Sequence, residues 1–284
     1  MTSISLDHDS FLGWVDQILS DDGLCERWLD SCRKDEANFR TSWYWLISRE
    51  NSCPHAERAL FRMLHEPGIG ISHVHAFHGC RIFSDSTYHS HGIQPLSREW
   101  IEREIVKWSG SLPAVQTEAN QLLQQYLKCY EGTVCAVKSL QLRQKHRGYV
   151  HTKGSETLRN FLKLHAPDAL NRYLLEGQPS ILEFLIPVSD LNASDWRNYL
   201  CSLLCIWLAS KVDFDRPSYD PWEGGFVLNA PVPPTRILCS HECDEDGVLT
   251  GEVMKYHPAP SILTRISDIY FSHQQLYQGA VGRN

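Results

Sequence analysis

The sequence predicts an α+β protein, because helix-type and strand-type hydrophobic patterns occupy separate runs along its 284 residues. The clearest helix is predicted over 194–210, where tryptophans and leucines form a wide apolar stripe. Alternating polar and apolar residues predict a strand over 71–81, and the apolar run 181–188 predicts a buried strand. No regular strand-helix-strand repeat is present, which favours mixed packing over a doubly wound sheet.

The first 66 residues are predicted to form a helical N-terminal extension. Apolar residues from Phe11 to Leu19 repeat at the spacing of one helix face, and Gly23 fits the end of that helix. Further helices are predicted near 26–32, 37–48 and 55–65. Residues 67–284 are therefore expected to hold the main α+β domain.

The main domain is predicted to continue with helices inserted between strands. The predicted helices cover 98–108, 113–130 and 155–164, and a strand is predicted over 133–142. Short strands separated by Pro-Pro and Asp-Gly turns are predicted within 224–232, 235–241 and 251–257, followed by a last helix over 260–277.

Charge and hydropathy exclude several classes of function. The net charge of −7 argues against a strongly electropositive surface for duplex nucleic acid, although basic residues cluster within 143–153. Asp7 and Asp9 stand where an export signal needs a basic and then an apolar stretch. The longest mostly apolar run, 199–209, is shorter than the ~20 residues of a membrane span. We therefore expect a cytoplasmic chain with no membrane partner, whose ten cysteines are reduced.

Histidines and cysteines in two segments raise the question of a metal site. The first segment holds His73, His75, His78 and Cys80, and the second reads Cys239-Ser-His241-Glu-Cys243. In a regular strand, period-2 alternation puts His73 and His75 on one face and His78 and Cys80 on the other, so one ion could not collect all four. A bulge at Phe77 would remove this objection, but the sequence has neither a CxxC pair nor an HExxH helix, and the second segment is too short for a known zinc knuckle. We therefore expect no bound metal. A zinc-dependent hydrolase built on His73, His75 and His78 with Cys239, His241 and Cys243 is the less favoured alternative.

Two short motifs follow each other in the region of the predicted strand. They are His78-Gly79-Cys80-Arg81 and Gly92-Ile93-Gln94-Pro95-Leu96. This pair resembles the first strand and following loop of the ADP-ribosyltransferase-like fold, which includes NAD-consuming ADP-ribosyltransferases and RNA 2'-phosphotransferases. The late segment 222–237 is similar to the carboxylate-bearing strand and Pro-containing turn of that fold. Tyr149 and the Gly154-Ser155-Glu156 turn occupy the place of its central Tyr or Ser.

The resemblance implies split antiparallel sheets with an N-terminal helical extension and helical insertions, and it implies NAD as a substrate. His78 and Gly79 would begin the NAD cleft, with His78 donating to the adenosine ribose. Arg81 would pair with the diphosphate through its planar guanidinium. The ADP-ribose acceptor, a protein or a nucleic acid, is left open.

The resemblance also implies three catalytic residues. Glu223 would stabilise the positive charge that develops on the ribose as the nicotinamide bond breaks. Tyr149 would stack on nicotinamide, and the Ser155 hydroxyl would orient the amide or ribose. We expect an NAD-dependent ADP-ribosyltransferase.

Two other functions stay open beside the transferase. A non-catalytic protein of a related fold would serve a protein partner, and an exposed cluster among its nine tryptophans would indicate such an interface. A cysteine nucleophile at Cys80, next to His78 and Arg81, is a further possibility, but the sequence places no third orienting residue.

Overall fold

The structure is a computed structural model that describes most of the chain between residues 2 and 255. The described residues are 2–6, 10–19, 23–35, 37–39, 42, 53–65, 71–86, 88–112, 118–139, 154–212, 225–244, 249–250 and 254–255. The predicted helix over 260–277, most of the one over 37–48 and all of the basic cluster lie outside these ranges.

Helices and strands are mixed along the chain, which confirms the predicted α+β class. The strands are β1 (Thr2–Ile4), β2 (Ile71–Ile82), β3 (Val134–Ala136), β4 (Gln178–Pro187), β5 (Phe226–Leu228), β6 (Ile237–Glu242) and β7 (Met254–Lys255). The helices are α1 (Ser10–Leu19), α2 (Gly23–Lys34), α3 (Pro54–His65), α4 (Tyr88–His91), α5 (Arg98–Ser109), α6 (Glu118–Tyr130), α7 (Glu156–His165), α8 (Pro167–Glu176) and α9 (Ala193–Lys211).

The main sheet has the strand order β1-β2-β4-β6-β7. Strands β1 and β2 are parallel, and every other neighbouring pair in this sheet is antiparallel. A second sheet pairs β3 with β5, and hydrogen bonds between Phe77 and Val137 attach it to the edge of β2 beside β1. The split-sheet architecture of the ADP-ribosyltransferase-like fold stays a prediction.

One face of the main sheet packs on helices because it is apolar. Val74 and Ala76 of β2 pair with Ile186 and Phe184 of β4, and all four are buried in the larger hydrophobic core. Helix α9 lies in the same core, and every residue from Tyr199 to Ala209 is buried. A helix that is apolar on all sides needs such complete cover, so the predicted stripe is core.

The N-terminal part shares this core with the rest of the chain. Ile4 of β1, Val15 of α1 and Leu60 of α3 belong to the same buried cluster as Leu204 of α9. The sequence patterns predicted helices in this part but not the strand β1, which is only three residues long. The boundary at residue 66 stays a prediction, although β1 joins the main sheet.

A smaller hydrophobic core lies under helices α5 to α8 and is separate from the first. Trp108 packs edge-on against Tyr173 with ring centroids 5.3 Å apart, and Phe83 contacts both rings. Side-chain caps start two of these helices, since the hydroxyls of Ser97 and Ser155 accept hydrogen bonds from backbone N–H groups. None of the helices in the described ranges has the length and hydropathy to cross a bilayer.

Candidate functional site

A group of polar side chains lies on the sheet face opposite the helices that pack on Val74 and Phe184. It consists of His75 on β2, Glu183 on β4, and Cys239 and His241 on β6, and we call it the Glu183 cluster. Cys239 is directly opposite Glu183 in the antiparallel register, and His241 is two residues further on the same face. His75 pairs with Leu185 and so lies diagonal to Glu183.

An irregularity in the sheet makes this register possible. Glu183 pairs with Cys239, but the next residue, Phe184, pairs with Ile237. One extra residue, Leu238, is therefore accommodated in β6, as in a β-bulge. The shift keeps Phe184 and Ile237 in the hydrophobic core while Cys239 faces Glu183.

The carboxylate of Glu183 is the centre of the cluster. Its Oε1 lies 2.6 Å from His75 Nδ1, and its Oε2 lies 2.9 Å from His241 Nε2. The Cys239 thiol donates to Oε2 at 3.3 Å, and its sulfur lies 3.4 Å from His241 Nε2. The Ser3 hydroxyl on β1 lies 3.2 Å from the other ring nitrogen of His75. Four strands thus contribute to one connected network.

The Glu183 carboxylate is buried, so its charge requires partners within the protein. Its side chain is only 2% exposed, and those of His75 and His241 are 7% and 11% exposed. Burial alone would raise the pKa of the Glu183 carboxyl, but hydrogen bonds to His241 and His75 outweigh it and hold this pKa below its ordinary value. Glu183 is therefore an anion at neutral pH, enclosed by groups that can donate to it.

Three of these side chains offer the donor types that a transition metal binds. Glu183, Cys239 and His241 supply a carboxylate oxygen, a sulfur and an imidazole nitrogen, all within 4.8 Å of one another. Zinc bond lengths of ~2.0–2.3 Å at tetrahedral angles put ligand atoms roughly 3.4–3.6 Å apart. The separations of 2.9, 3.3 and 3.4 Å are close to those values, so a small movement apart would admit an ion.

Arg81, predicted to bind the diphosphate of NAD, is buried beside helix α8. It is 3% exposed, and its Nε and Nη2 donate to the carbonyl of Gly177 at 3.1 and 2.7 Å. Nη2 also donates to the carbonyl of Leu174. In this position the guanidinium satisfies carbonyls at the C-terminal end of α8, which is a structural role.

His78 and Gly79, the other two predicted NAD contacts, lie in the interior of β2. His78 Nδ1 is 2.8 Å from the carbonyl oxygen of Cys135, and burial lowers the pKa of this histidine. Gly79 pairs with Ile181 in the β2–β4 ladder. His78 and Arg81 fall on opposite faces of the strand by alternation, so the structure does not bring these side chains together.

Of the three predicted catalytic residues, Ser155 lies among the described residues. Ser155 is the N-cap of α7, and its hydroxyl accepts from the N–H of Leu158 at 3.3 Å. Tyr149 and Glu223 lie outside the described residues. Their proposed part in NAD chemistry stays a prediction.

Sequence reasoning singled out His75, Cys239 and His241 as metal candidates but missed Glu183. The signal available was a single acidic residue inside the apolar run 181–188. An ionisable side chain in a buried strand requires a partner, which is a reason to look for one. The partners come from strands more than 50 residues away, so only the sheet register identifies them.

The tryptophans do not form an exposed cluster in the part of the chain that the structure describes. Trp28, Trp108 and Trp207 are buried there, and Trp14, Trp100 and Trp196 are half-buried. The surface feature expected for a protein-interaction domain is thus missing from these residues. Comparisons of the chain with protein-family models, curated proteins and solved structures found no match, so the geometry of the Glu183 cluster is the basis for assigning a function.

Proposed function

We propose that this protein binds a zinc ion through Glu183, Cys239 and His241. The observation that carries the proposal is the meeting of three different donor atoms, from two strands, within 3.4 Å of one another. Imidazole nitrogen, thiolate sulfur and carboxylate oxygen are each a ligand that zinc takes in proteins. The expectation of no metal weighed the histidines of β2 and the segment from Cys239 to Cys243 separately, whereas the donors meet across β4 and β6.

The hydrogen bonds of this arrangement are ones that a metal ion could replace. Without an ion, the Cys239 thiol and the His241 ring both direct protons at one carboxylate oxygen, Glu183 Oε2. An ion would replace these two hydrogen bonds, since the thiol binds metal as the thiolate and imidazole through an unprotonated nitrogen. It would also neutralise part of the charge buried at Glu183.

The number of protein ligands bears on what the metal would do. Structural zinc sites have four protein ligands, whereas catalytic sites have three and leave one position for water or substrate. The described residues supply three. Metal-assisted hydrolysis is therefore the second candidate function, with the metal lowering the pKa of a bound water.

The proposal is tested by metal analysis of protein purified without chelators. We expect stoichiometric zinc in the wild-type chain and a loss of most of it in Cys239→Ala, because the thiolate ligand is removed. Cys80→Ala is the matched control, since Cys80 is also buried in the main sheet but lies outside the cluster. Cobalt substitution of the same proteins should show a thiolate charge-transfer band that only Cys239→Ala loses.

Two results would count against this function. Wild-type protein that holds no zinc and takes up neither zinc nor cobalt would exclude the site. Equal metal content in Cys239→Ala and wild type would place the ion elsewhere. If the cobalt spectrum changes on addition of azide, the fourth position is exchangeable, as hydrolysis requires; an unchanged spectrum would favour a closed, structural site.

NAD binding stays a prediction and has its own test. If the resemblance holds, NAD should raise the midpoint of thermal unfolding in a saturable way, because a ligand bound only by the folded chain stabilises it. Glu223→Ala should weaken that effect, with Glu176→Gln at an exposed position of α8 as a control. Absence of any shift at millimolar NAD would reject the transferase function without affecting the zinc proposal.

A further inference from the structure

A chain of hydrogen bonds connects the Glu183 cluster to the N-terminal strand. His75 uses both ring nitrogens, with Nδ1 at 2.6 Å from Glu183 Oε1 and Nε2 at 3.2 Å from the Ser3 hydroxyl. Ser3 lies on β1, where it pairs with His73 in the parallel register. Its side chain therefore faces the same side of the sheet as His73 and His75.

The carboxylate fixes the direction of the hydrogen bond between His75 and Glu183. An ionised carboxylate only accepts, so His75 must carry its proton on Nδ1 and donate it to Glu183. The Ser3 hydroxyl can donate or accept, so it can hydrogen-bond Nε2 whether or not that nitrogen carries a proton. It thereby holds the ring in the orientation in which Nδ1 donates to Glu183.

The two carboxylate oxygens of Glu183 contact different partners. Oε1 faces His75, while Oε2 faces Cys239 and His241, where the ion would sit. A hydrogen bond to the non-ligating oxygen of a carboxylate holds it in a one-oxygen binding geometry. His75 and Ser3 thus lie one and two contacts behind the proposed metal ligand.

We infer that His75 and Ser3 are positioning residues for the proposed zinc site, so that the edge strand β1 is part of the metal centre. The inference rests on the proposed function, because it concerns how tightly that ion is held. Outer-shell partners of metal ligands change metal affinity by about 10- to 100-fold when they are removed. Ser3 acts through His75, so we expect its removal to give the lower end of that range.

The contact also explains how a three-residue strand affects the site. Ile4 is buried in the larger core and anchors β1 through its apolar side chain, and the hydroxyl of Tyr199 donates to the Ile4 carbonyl at 3.0 Å. Because Ile4 is anchored in this way, the adjacent Ser3 is held next to His75. Loss of the Ser3 hydroxyl should leave this anchoring intact, so the strand stays paired.

The test measures the rate at which zinc leaves the folded protein to a colorimetric chelator. Ser3→Ala should release zinc about 10-fold faster than wild type, and His75→Ala faster still, as removal of outer-shell partners does. Ser3→Thr keeps a hydroxyl and should restore slow release. Ser72→Ala is the matched control, because its hydroxyl lies 2.8 Å from His73 Nδ1, a histidine with no contact to Glu183 among the hydrogen bonds of the described residues. The cobalt spectrum of each variant reports whether the three ligands are still in place.

The possible results separate this inference from the function on which it rests. If wild type and Ser3→Ala release zinc at the same rate, the positioning role is wrong and the zinc site stands. If Ser72→Ala releases zinc as fast as Ser3→Ala, the effect is unspecific and the inference fails. If wild type holds no zinc, the proposed function falls and this inference with it. Covalent labelling of Ser3 by a fluorophosphonate, which reacts with activated serines, would instead make Ser3 a nucleophile and overturn its positioning role.

Discussion

Glu183→Gln is expected to abolish stoichiometric zinc binding and to lower the stability of the metal-free protein by about 3 kcal/mol. The glutamine has nearly the same shape, so the change removes charge and leaves volume in place. Its amide oxygen is a weaker zinc ligand, and its NH2 group faces donors from His75 or His241 where the carboxylate accepted. Metal analysis and urea unfolding of chelator-treated protein measure the two effects.

The pH dependence of this stability follows from the pKa of Glu183. Because the pKa in the folded chain lies below the ordinary value of 4.5, the unfolded chain binds more protons as the pH falls through that value. The contribution of the carboxylate to the free energy of unfolding is thus complete above about pH 4.5 and is lost as the pH falls below it. The difference in stability between wild type and Glu183→Gln should therefore be largest near neutral pH and shrink in acid.

A variant of the neighbouring glutamate controls for a general effect on the sheet. Glu242 lies on β6 next to His241, with the alternation of the strand turning it to the other face. Glu242 is half-buried, and Glu242→Gln should keep the zinc and lower the free energy of unfolding by less than about 1 kcal/mol. If Glu183→Gln retained stoichiometric zinc, the carboxylate would not be a ligand.

The sequence predicted the long elements of the fold well because their hydrophobic patterns are strong. The strand predicted over 71–81 is Ile71–Ile82, and the helix predicted over 194–210 is Ala193–Lys211. Short elements were harder to predict, since three residues carry no periodicity. Within the described part of the strand predicted over 133–142, which ends at residue 139, β3 covers Val134–Ala136, and β1 was not predicted.

The candidate site depends on information that local patterns do not contain. Alternation correctly separates His75 from His78 on β2, which was one of the reasons to expect no metal. The ligands instead combine through the register of β4 and β6, which includes an irregularity after Glu183. Nothing in a single sequence specifies which strands become neighbours or where one residue is skipped.

Arg81→Ala is expected to destabilise the protein by about 3–5 kcal/mol with no ligand present. The guanidinium is buried and serves the carbonyls of Gly177 and Leu174, which would lose their donor where water has little access. Arg81→Lys should recover only part of the loss, because an ammonium cannot reproduce the planar fork. Urea unfolding of the three proteins measures the differences.

Arg33 provides a matched control for this prediction. Its Nε and Nη2 also donate to one carbonyl at a helix end, that of Lys211, at 3.2 and 3.0 Å, but its side chain is 47% exposed. Water can replace those hydrogen bonds, so Arg33→Ala should cost less than about 1 kcal/mol. Arg81 and Arg33 have similar partners but differ in burial. A larger loss of stability in Arg81→Ala than in Arg33→Ala would therefore be caused by burial of carbonyls that have lost their donor.

The same variant separates the two roles assigned to Arg81. A residue that binds the diphosphate of NAD must have donors directed at the ligand, whereas here Nε and Nη2 are directed at backbone carbonyls. A structural role predicts lower stability of Arg81→Ala in the absence of NAD. Unchanged stability together with weaker NAD binding would contradict it and return Arg81 to the NAD cleft.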